Sequence, residues 1–112
     1  MLSIYVNDDM FGSITPERGA ELEAADAAFR SEITESGELV STEGLLDPAD
    51  AKVVRLLDGS PVVTSGRHLD TKDRLGHYFI VDVKNEDRAI ELAAKYQTPG
   101  GFVEVFPVYD AG

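Results

Sequence analysis

The sequence lacks cysteine and tryptophan altogether and is poor in basic residues. Its 112 residues hold 10 Lys and Arg against 21 Asp and Glu, for a formal net charge of −11. Without cysteine there is no disulfide, no thiol nucleophile, no iron–sulfur ligand and no Cys-type zinc site. The negative charge opposes binding to phosphate backbones and anionic lipid headgroups, so neither a nucleic-acid partner nor a membrane partner is expected.

Long hydrophobic runs are also missing. The apolar start, Met1 to Val6, is followed at once by Asn7-Asp8-Asp9, and it has no basic flank. This pattern predicts neither a signal peptide nor a membrane span, so a cytoplasmic location is the default expectation. The composition, 43% hydrophobic and 28% charged, is typical of a folded chain of a length that supports one core. We therefore expect a single soluble domain over residues 1–112.

The first half of the chain predicts a strand, a helix and a second strand. Leu2-Ser3-Ile4-Tyr5-Val6 alternates with period two, as a half-buried strand does. Thr15-Pro16-Glu17 combines a capping hydroxyl, a proline at the first helical position and an acid in the first turn. The helix buries a stripe at three- and four-residue steps and ends at Gly37. A strand is expected over 38–46.

The second half predicts a hairpin followed by another strand, helix and strand. Two β-branched runs, 51–57 and 61–64, are joined by Asp58-Gly59-Ser60, which is typical of a short hairpin connection. The remaining elements are a strand over 76–83, a helix capped by Asn85 and a strand over 102–109. This order predicts an α+β fold: a ferredoxin-like, split βαβ sheet with an inserted β-hairpin and both helices on one face.

Alternation along the strands sorts their side chains into two faces. The face expected under the helices is aliphatic and holds Leu2, Ile4, Val6, Phe79, Val81, Val83, Val103 and Val105. The opposite face mixes aromatic and acidic residues: Ser3, Tyr5, Tyr78, Ile80, Asp82, Phe102, Glu104, Phe106 and Val108. Because a soluble monomer rarely exposes a large apolar patch, we expect a homodimer through this face. It either encloses a ligand cavity or packs without one.

Short groups of residues with a characteristic order and spacing extend over most of the chain. They are Gly37-Glu38-Leu39-Val40, Glu43-Gly44-Leu45, Val54-Arg55, Asp58-Gly59, Val63-Thr64, Gly66, Thr71-Lys72-Asp73, Leu75-Gly76, Ala89-Ile90-Glu91 and Val103-Glu104-Val105-Phe106-Pro107-Val108. With these groups the chain resembles the YCII-related family, and in particular its DGPF (DGPFAETKE) branch. The resemblance implies ferredoxin-like subunits that form a dimeric α+β barrel.

The resemblance implies little about chemistry. Most of the branch is uncharacterised and is often encoded beside alternative sigma factors. One related branch includes a dehydrochlorinase acting on a chlorinated hydroxyquinol, for which a His and Asp pair is the suspected acid and base. The signature motif is degenerate in this chain, because 65–73 is Ser-Gly-Arg-His-Leu-Asp-Thr-Lys-Asp. Ser65 has lost the motif's carboxylate, His68 replaces its phenylalanine, and His77 stands where a second glycine is frequent.

The degenerate motif supplies the predicted catalytic residues, His68 and Asp70. A histidine titrates near neutrality and a neighbouring aspartate orients it, so the pair is a candidate acid and base. The alternative is a solvated loop pair. His77 is in line with Phe79 and is interpreted as a structural histidine beneath a helix end. No metal site is predicted, because nothing fixes a third ligand beside His68, Asp70 and His77.

The predicted ligand-binding residues lie in the same segment and on the aromatic face. Five basic residues are candidates for binding a substrate carboxylate: Arg67 and Lys72, which are predicted to bind it, and Arg74, Lys52 and Arg55. The alternative is a solvated loop that balances the acids of the first helix. Tyr5, Tyr78 and Asp82 are expected to border the cavity between the two sheets. Glu43 and Asp82 occur in apolar strands, so each carboxylate should be paired, exposed or raised in pKa.

Two functions are compatible with these features. The first is a small-molecule-binding dimer whose ligand is an aromatic or carboxylate-bearing metabolite, with cofactor-free acid–base chemistry of the lyase or isomerase type. The second is a non-catalytic interaction or regulatory module, linked to transcription through a sigma-factor system, whose acidic first helix meets a basic partner. Residues 1–50 hold twelve acids against Arg18 and Arg30, a bias that is typical of a solvated acidic face and is also compatible with a binding surface for a basic partner. The sequence does not decide whether the protein is an enzyme, and no cofactor is predicted.

Overall fold

The computed structural model describes residues 1–69 and 71–109 and shows an α+β fold with two antiparallel sheets. Within these residues the order is β1 (Leu2–Asn7), α1 (Asp8–Gly12), α2 (Pro16–Glu35), β2 (Leu39–Gly44), a 3₁₀ turn (Pro48–Asp50), β3 (Lys52–Leu57), β4 (Ser60–Ser65), β5 (Asp73–Val81), α3 (Glu86–Lys95) and β6 (Val103–Val105). None of the described helices combines the length and apolar character needed to cross a membrane.

The main sheet has four strands in the order β2-β5-β1-β6. Each neighbouring pair is antiparallel, and β2 and β6 form its open edges. The long strand β5 lies beside β1, where Leu2 is opposite Phe79 and Ile4 is opposite His77. The two chain segments that contain α2 and α3 each connect two strands of this sheet that run parallel to each other, β1 with β2 and β5 with β6.

Helix α2 begins and ends where the sequence predicts. The Thr15 hydroxyl accepts a hydrogen bond from the backbone N–H of Arg18 at 3.1 Å, and Pro16 is the first helical residue. The chain leaves the helix through Gly37, whose φ of 79° is the left-handed conformation that glycine adopts without strain. Phe29 and Ile33 are the buried residues of the helix, which confirms the end of the predicted stripe.

The hydrophobic core lies between the helices and the aliphatic face of the sheet. Its fully enclosed members are Leu2, Ile4, Phe29, Ile33, Phe79 and Leu92. Val81, Val83, Val103 and Val105 pack against this cluster, and Val6 is buried. The assignment of these residues to the helix side of the sheet is therefore confirmed, because period-two alternation holds along each strand segment that contributes to the core.

Three elements differ clearly from the sequence prediction. Strand β5 is Asp73–Val81 instead of the expected 76–83. Helix α1 was not expected, and it exists because the Asn7 side chain accepts hydrogen bonds from the N–H groups of Asp9 and Met10 at 3.1 and 3.2 Å. The last strand is shorter than the expected 102–109. Only Val103–Val105 pairs with β1, because β1 offers three partners before its N-terminal end.

The predicted hairpin is confirmed, and it projects from the rest of the molecule. Asp58 and Gly59 both have positive φ, at 52° and 80°, as a two-residue hairpin turn requires. Strands β3 and β4 pair only with each other, and Leu56 keeps 73% of its surface exposed. The Cα radius of gyration is 16.4 Å, whereas a compact chain of this length has about 13 Å. We call this hairpin, 52–65, the arm.

Candidate functional site

A large cavity lies between α2 and one end of the main sheet. Its volume is about 730 Å³, and the loop from Tyr96 to Pro99 forms one side. Apolar side chains of Ile4, Val6, Phe11, Ile14, Leu22 and Leu45 contribute much of the wall. Polar and charged groups also line it: Glu23, Asp26, Arg30, Arg74, His77, Tyr96, Gln97 and Thr98. Apolar walls with a few convergent polar groups are typical of a small-molecule site.

A β-bulge in β5 brings two of these polar groups to the same side of the sheet. Ile4 pairs with His77 and Tyr5 pairs with Leu75, so Gly76 is the extra residue. Beyond the bulge, Arg74 is opposite Val6. In a regular strand, residues three positions apart point to opposite faces. Without the extra residue, Arg74 and His77 would therefore lie on opposite sides of the sheet. A Cβ at Gly76 would lie 3.1 Å from Val6 Cγ1, so the bulge is tightly packed.

His77 ends a chain of hydrogen bonds that starts at a carboxylate of α2. Its Nε2 lies 2.7 Å from the hydroxyl of Tyr96. That hydroxyl donates to Asp26 Oδ1 at 2.6 Å, and Arg30 Nε donates to Asp26 Oδ2 at 2.6 Å. Because the single tyrosine proton goes to Asp26, the tyrosine oxygen accepts from His77, whose Nε2 therefore carries the proton. In the neutral ring, Nδ1 is then the basic nitrogen.

Burial is the main cause of the pKa shifts of the two rings in this hydrogen-bond chain, the imidazole of His77 and the phenol of Tyr96. It lowers the pKa of His77, and the guanidinium of Arg30 lowers it further, while the nearby carboxylate of Asp26 acts in the opposite direction. Burial also raises the pKa of Tyr96, and the hydrogen bond to Asp26 adds to this increase. Near pH 7, Tyr96 thus keeps its proton and the imidazole is mainly neutral, as a general base must be.

Arg74 contributes a cation to the same cavity. Its Nε donates to Asp8 Oδ1 at 2.9 Å, and the arginine side chain is 19% exposed. Arg74 and Leu45 also border a second cavity of about 470 Å³ beneath the 3₁₀ turn. On the outer side, Lys72 Nζ pairs with Asp9 at 2.7 Å, so two ion pairs connect α1 to the start of β5.

The loop after α3 completes the cavity because it approaches β1 very closely. The hydroxyl of Thr98 donates to the backbone carbonyl of Tyr5. A Cβ at Gly100 would overlap that same carbonyl, so only glycine fits there. The loop thus holds Tyr96 and Thr98 beside the sheet. Among the described residues, no group of three His, Asp or Glu side chains is arranged to hold a metal ion.

Of the predicted catalytic pair, the structure describes only His68, which lies outside this cavity. His68 is exposed, and its Nδ1 accepts from Arg55 Nη2 at 3.0 Å. Asp70 lies outside the described residues. Arg67 donates to the backbone carbonyl of Thr71 and borders the second cavity. The structure does not place His68 in the wall of the 730 Å³ cavity, and a role for His68 and Asp70 stays a prediction.

The predicted residues of the aromatic face lie on the side of the sheet opposite to this cavity. Tyr5 is stacked on Phe102 with ring centroids 5.0 Å apart, and its hydroxyl donates to Glu104 at 3.4 Å. Tyr78 is half-buried, while Asp82 is exposed. Glu43 is exposed as well. Each of these two carboxylates was expected to be paired, exposed or raised in pKa, and both are exposed.

The predicted site residues do not include Asp26 or Tyr96 of the cavity, although the sequence carries a signal for Asp26. Asp26 lies on the stripe Leu22, Asp26, Phe29 and Ile33, with steps of four, three and four residues. An acid on a buried stripe needs a partner, which is a sign of a site. The interpretation of His77 as a residue beneath a helix end is correct in position, but nothing in the sequence places Tyr96 next to it. That contact depends on the loop after α3.

The comparison with known proteins identifies a family. The model of the YCII-related domain matches residues 1–111. No curated protein sequence matches the chain significantly. The match covers nearly all of the sequence and includes every residue of the cavity described above. The chain belongs to the YCII-related family.

Proposed function

We propose that the protein binds a small aromatic or carboxylate-bearing metabolite in the 730 Å³ cavity and moves a proton on it without a cofactor. One observation carries the proposal: the hydrogen-bond chain His77–Tyr96–Asp26 ends at the wall of this cavity. A base held in one tautomer by a second group, which a carboxylate orients in turn, is the usual arrangement of an activated base.

The chain of hydrogen bonds explains how His77 would act. Nδ1 takes a proton from a C–H or O–H group of the bound molecule, and the imidazolium that forms is stabilised by Asp26 through Tyr96. Return of the proton to another atom of the same molecule is an isomerisation. Loss of an anionic leaving group from the deprotonated molecule, with the proton then released to water, is an elimination. Neither reaction requires an external oxidant or reductant.

The cavity also supports the proposed ligand class. Its apolar walls suit a ring or a short hydrocarbon skeleton, and its two guanidinium groups suit a carboxylate. A volume of about 730 Å³ lies within the range of metabolite sites.

The two histidines of the chain provide a matched test. The protein is incubated in D₂O with a panel of aromatic and aliphatic carboxylates, and exchange of carbon-bound hydrogen for deuterium is followed by NMR. We expect exchange with the wild type, loss of at least a hundredfold in His77→Ala and no change in His68→Ala. Loss in His68→Ala alone would transfer the chemistry to the predicted pair His68 and Asp70. Absence of exchange throughout the panel would favour a non-catalytic role.

We further propose that the chain is a ferredoxin-like subunit of a dimeric α+β barrel. The strand order β2-β5-β1-β6 and the two crossing helices support the first part. The exposed aromatic face supports the second, because Phe102 and Phe106 are 44% and 55% exposed in the single chain. A membership of the DGPF branch is proposed on the residue groups given above.

A regulatory interaction module is the second candidate function. The exposed side of α2 carries acids, among them Glu17, Glu21 and Glu35, and the helix buries only two of its 20 residues. Such a surface would bind a basic segment of a partner, and a sigma-factor system is the proposed context. Binding that weakens steeply with added salt and that does not respond to His77→Ala would support this candidate.

A further inference from the structure

We infer that Arg74 binds the carboxylate of a monoanionic ligand in this cavity, with Asp8 as the residue that positions its guanidinium. The inference rests on the proposed function, because it concerns the same cavity. It specifies the charge of the ligand, and it names the side chain that binds the ligand's carboxylate. The sequence predicts this role for Arg67 and Lys72, within a group of basic residues that also includes Arg74.

The position of Arg74 is fixed by the bulge at Gly76. Arg74 and His77 are opposite Val6 and Ile4 respectively, and both of these β1 residues face the helices. Two strand residues span about 6.6 Å, so one small molecule can contact both side chains. A carboxylate held at Arg74 thus places the neighbouring carbon atoms on the side of the cavity where His77 lies.

The guanidinium of Arg74 has one end occupied and the other open. Its Nε donates to Asp8, and among the described residues neither Nη atom has a hydrogen-bond partner. The side chain is largely enclosed, at 19% exposure, and borders the cavity. One N–H group from each Nη atom of this fixed planar group can meet the two oxygens of a carboxylate. Asp8 is 56% exposed, so its carboxylate restrains Arg74 from the solvent side.

Arg30 is less suited to this role, although it borders the same cavity. Its guanidinium carbon lies 4.9 Å from the centre of the Phe79 ring, so one face is already covered. Its Nε is bound to Asp26, and a ligand carboxylate there would lie next to the Asp26 carboxylate. Arg30 instead supports Asp26, which accepts the Tyr96 hydroxyl.

The charges around the cavity favour one negative charge on the ligand. Glu23 and Asp26 line the wall together with Arg30 and Arg74, so these four charges cancel. Asp8 adds a further negative charge beside Arg74. These five groups together carry a net charge of −1, so a dianion such as a phosphate monoester meets about twice the net repulsion that a monoanion meets.

Three probes test the inference on the intact protein: benzoate, phenyl phosphate and benzyl alcohol, with affinity measured by NMR chemical-shift titration. We expect benzoate to bind at least tenfold more tightly than benzyl alcohol and phenyl phosphate. Arg74→Gln should lower the affinity for benzoate at least tenfold and leave the affinity for benzyl alcohol nearly unchanged. Lys72→Gln removes the same charge from an exposed neighbouring position and should change benzoate binding less than threefold.

Asp8 provides a second, independent variant. Asp8→Asn keeps an oxygen that accepts from Arg74 Nε but removes the negative charge, so benzoate should bind about two- to fivefold more tightly. Asp9→Asn is the matched control, because Asp9 pairs with Lys72 outside the cavity, and it should have little effect. If Arg74→Gln does not fold, two measurements still test the inference: the comparison of the three probes on the wild type, and benzoate binding to Asp8→Asn.

The outcomes separate this inference from the proposed function. Equal binding of benzoate and benzyl alcohol, or an equal loss in Lys72→Gln, would overturn the role of Arg74 while the cavity and the deuterium exchange stand. Tighter binding of phenyl phosphate than of benzoate would overturn the inference that the cavity favours a ligand with one negative charge. Benzoate binding that depends on Arg74 without any deuterium exchange would support the carboxylate site and overturn the acid–base function.

Discussion

At the scale of single residues, the best-formed ion pair in the described structure joins Arg88 to Glu38. Arg88 Nε donates to Oε2 at 2.9 Å and Nη2 donates to Oε1 at 2.8 Å, and the two side chains are 19% and 15% exposed. These hydrogen bonds, with one from Ser36, lower the pKa of the Glu38 carboxyl to about 2. The pair connects the first turn of α3 to the chain just after α2.

This ion pair predicts a specific dependence of stability on pH. The carboxyl has a lower pKa in the folded state than its usual 4.5, so its contribution is present above pH 4.5 and is lost as the pH falls towards 2. Glu38→Gln should therefore lower the free energy of unfolding at pH 7 and weaken its decrease between pH 4.5 and 2. Urea unfolding followed by circular dichroism measures both quantities. Glu91→Gln, on the more exposed partner of Arg88, should change them less; equal effects would contradict the assignment.

The candidate site could be predicted from the sequence only in part, and single residues show why. Asp26 is recognisable, because helical spacing puts a carboxylate on an apolar stripe. The side of the sheet on which His77 lies follows from its alternation with Phe79. Arg74 is not predictable by alternation, because the bulge at Gly76 reverses the side on which every residue before it points. Tyr96 depends on a loop contact between residues far apart in sequence.

At the scale of elements, the loop 96–101 holds the cavity wall through a backbone contact. Gly100→Ala would push a methyl group into the carbonyl of Tyr5, and backbone cannot move aside as a flexible side chain does. We expect a decrease of about 1–3 kcal/mol in the free energy of unfolding and weaker benzoate binding, because Tyr96 and Thr98 shift. Gly44→Ala is the control, since a Cβ there has no atom within 4 Å. A Gly100→Ala variant with unchanged stability would contradict the close packing.

The elements differ in how well sequence fixes them. Helix α2 has its capping residue, proline and terminal glycine in the chain itself, so both ends are predictable. The arm is predictable for the same reason, because Asp58 and Gly59 specify the turn. Helix α1 depends on one asparagine and on ion pairs with β5, and the length of β6 depends on how far β1 extends. Such features depend on tertiary contacts, which local sequence does not specify.

At the scale of the whole molecule, two surfaces expose large apolar side chains in the single chain. One is the aromatic face of the main sheet, and the other is the arm, on which Leu56 and Val63 are 73% and 60% exposed. A two-stranded hairpin without further packing is marginally stable in water. The arm also extends away from the core, and this makes the radius of gyration larger than that of a compact chain. Both features are explained if a second copy covers these surfaces.

The proposed homodimer predicts that light scattering at micromolar concentration gives twice the mass of one chain. Ile80→Glu, on the aromatic face, should reduce the mass to one chain, because a buried carboxylate without a partner is costly. Ala94→Glu, on the exposed side of α3, is the control and should leave the mass unchanged. A wild-type mass of one chain would overturn the dimer, and a dimeric Ile80→Glu would show that the interface is a different face.

The arm allows a sharper prediction about the same dimer. In a lone chain Leu56 is exposed, so Leu56→Lys would alter the free energy of unfolding by less than about 0.5 kcal/mol. If the partner covers the arm, the substitution places a charge in the interface, and the dissociation constant should rise at least tenfold. Thr64→Lys is the control, because Thr64 points to the other face of the arm from Val63, the residue next to it. Sedimentation equilibrium measures the dissociation constants. Equal values for Leu56→Lys and the wild type would show that the arm stays in solvent and that the aromatic face alone forms the dimer.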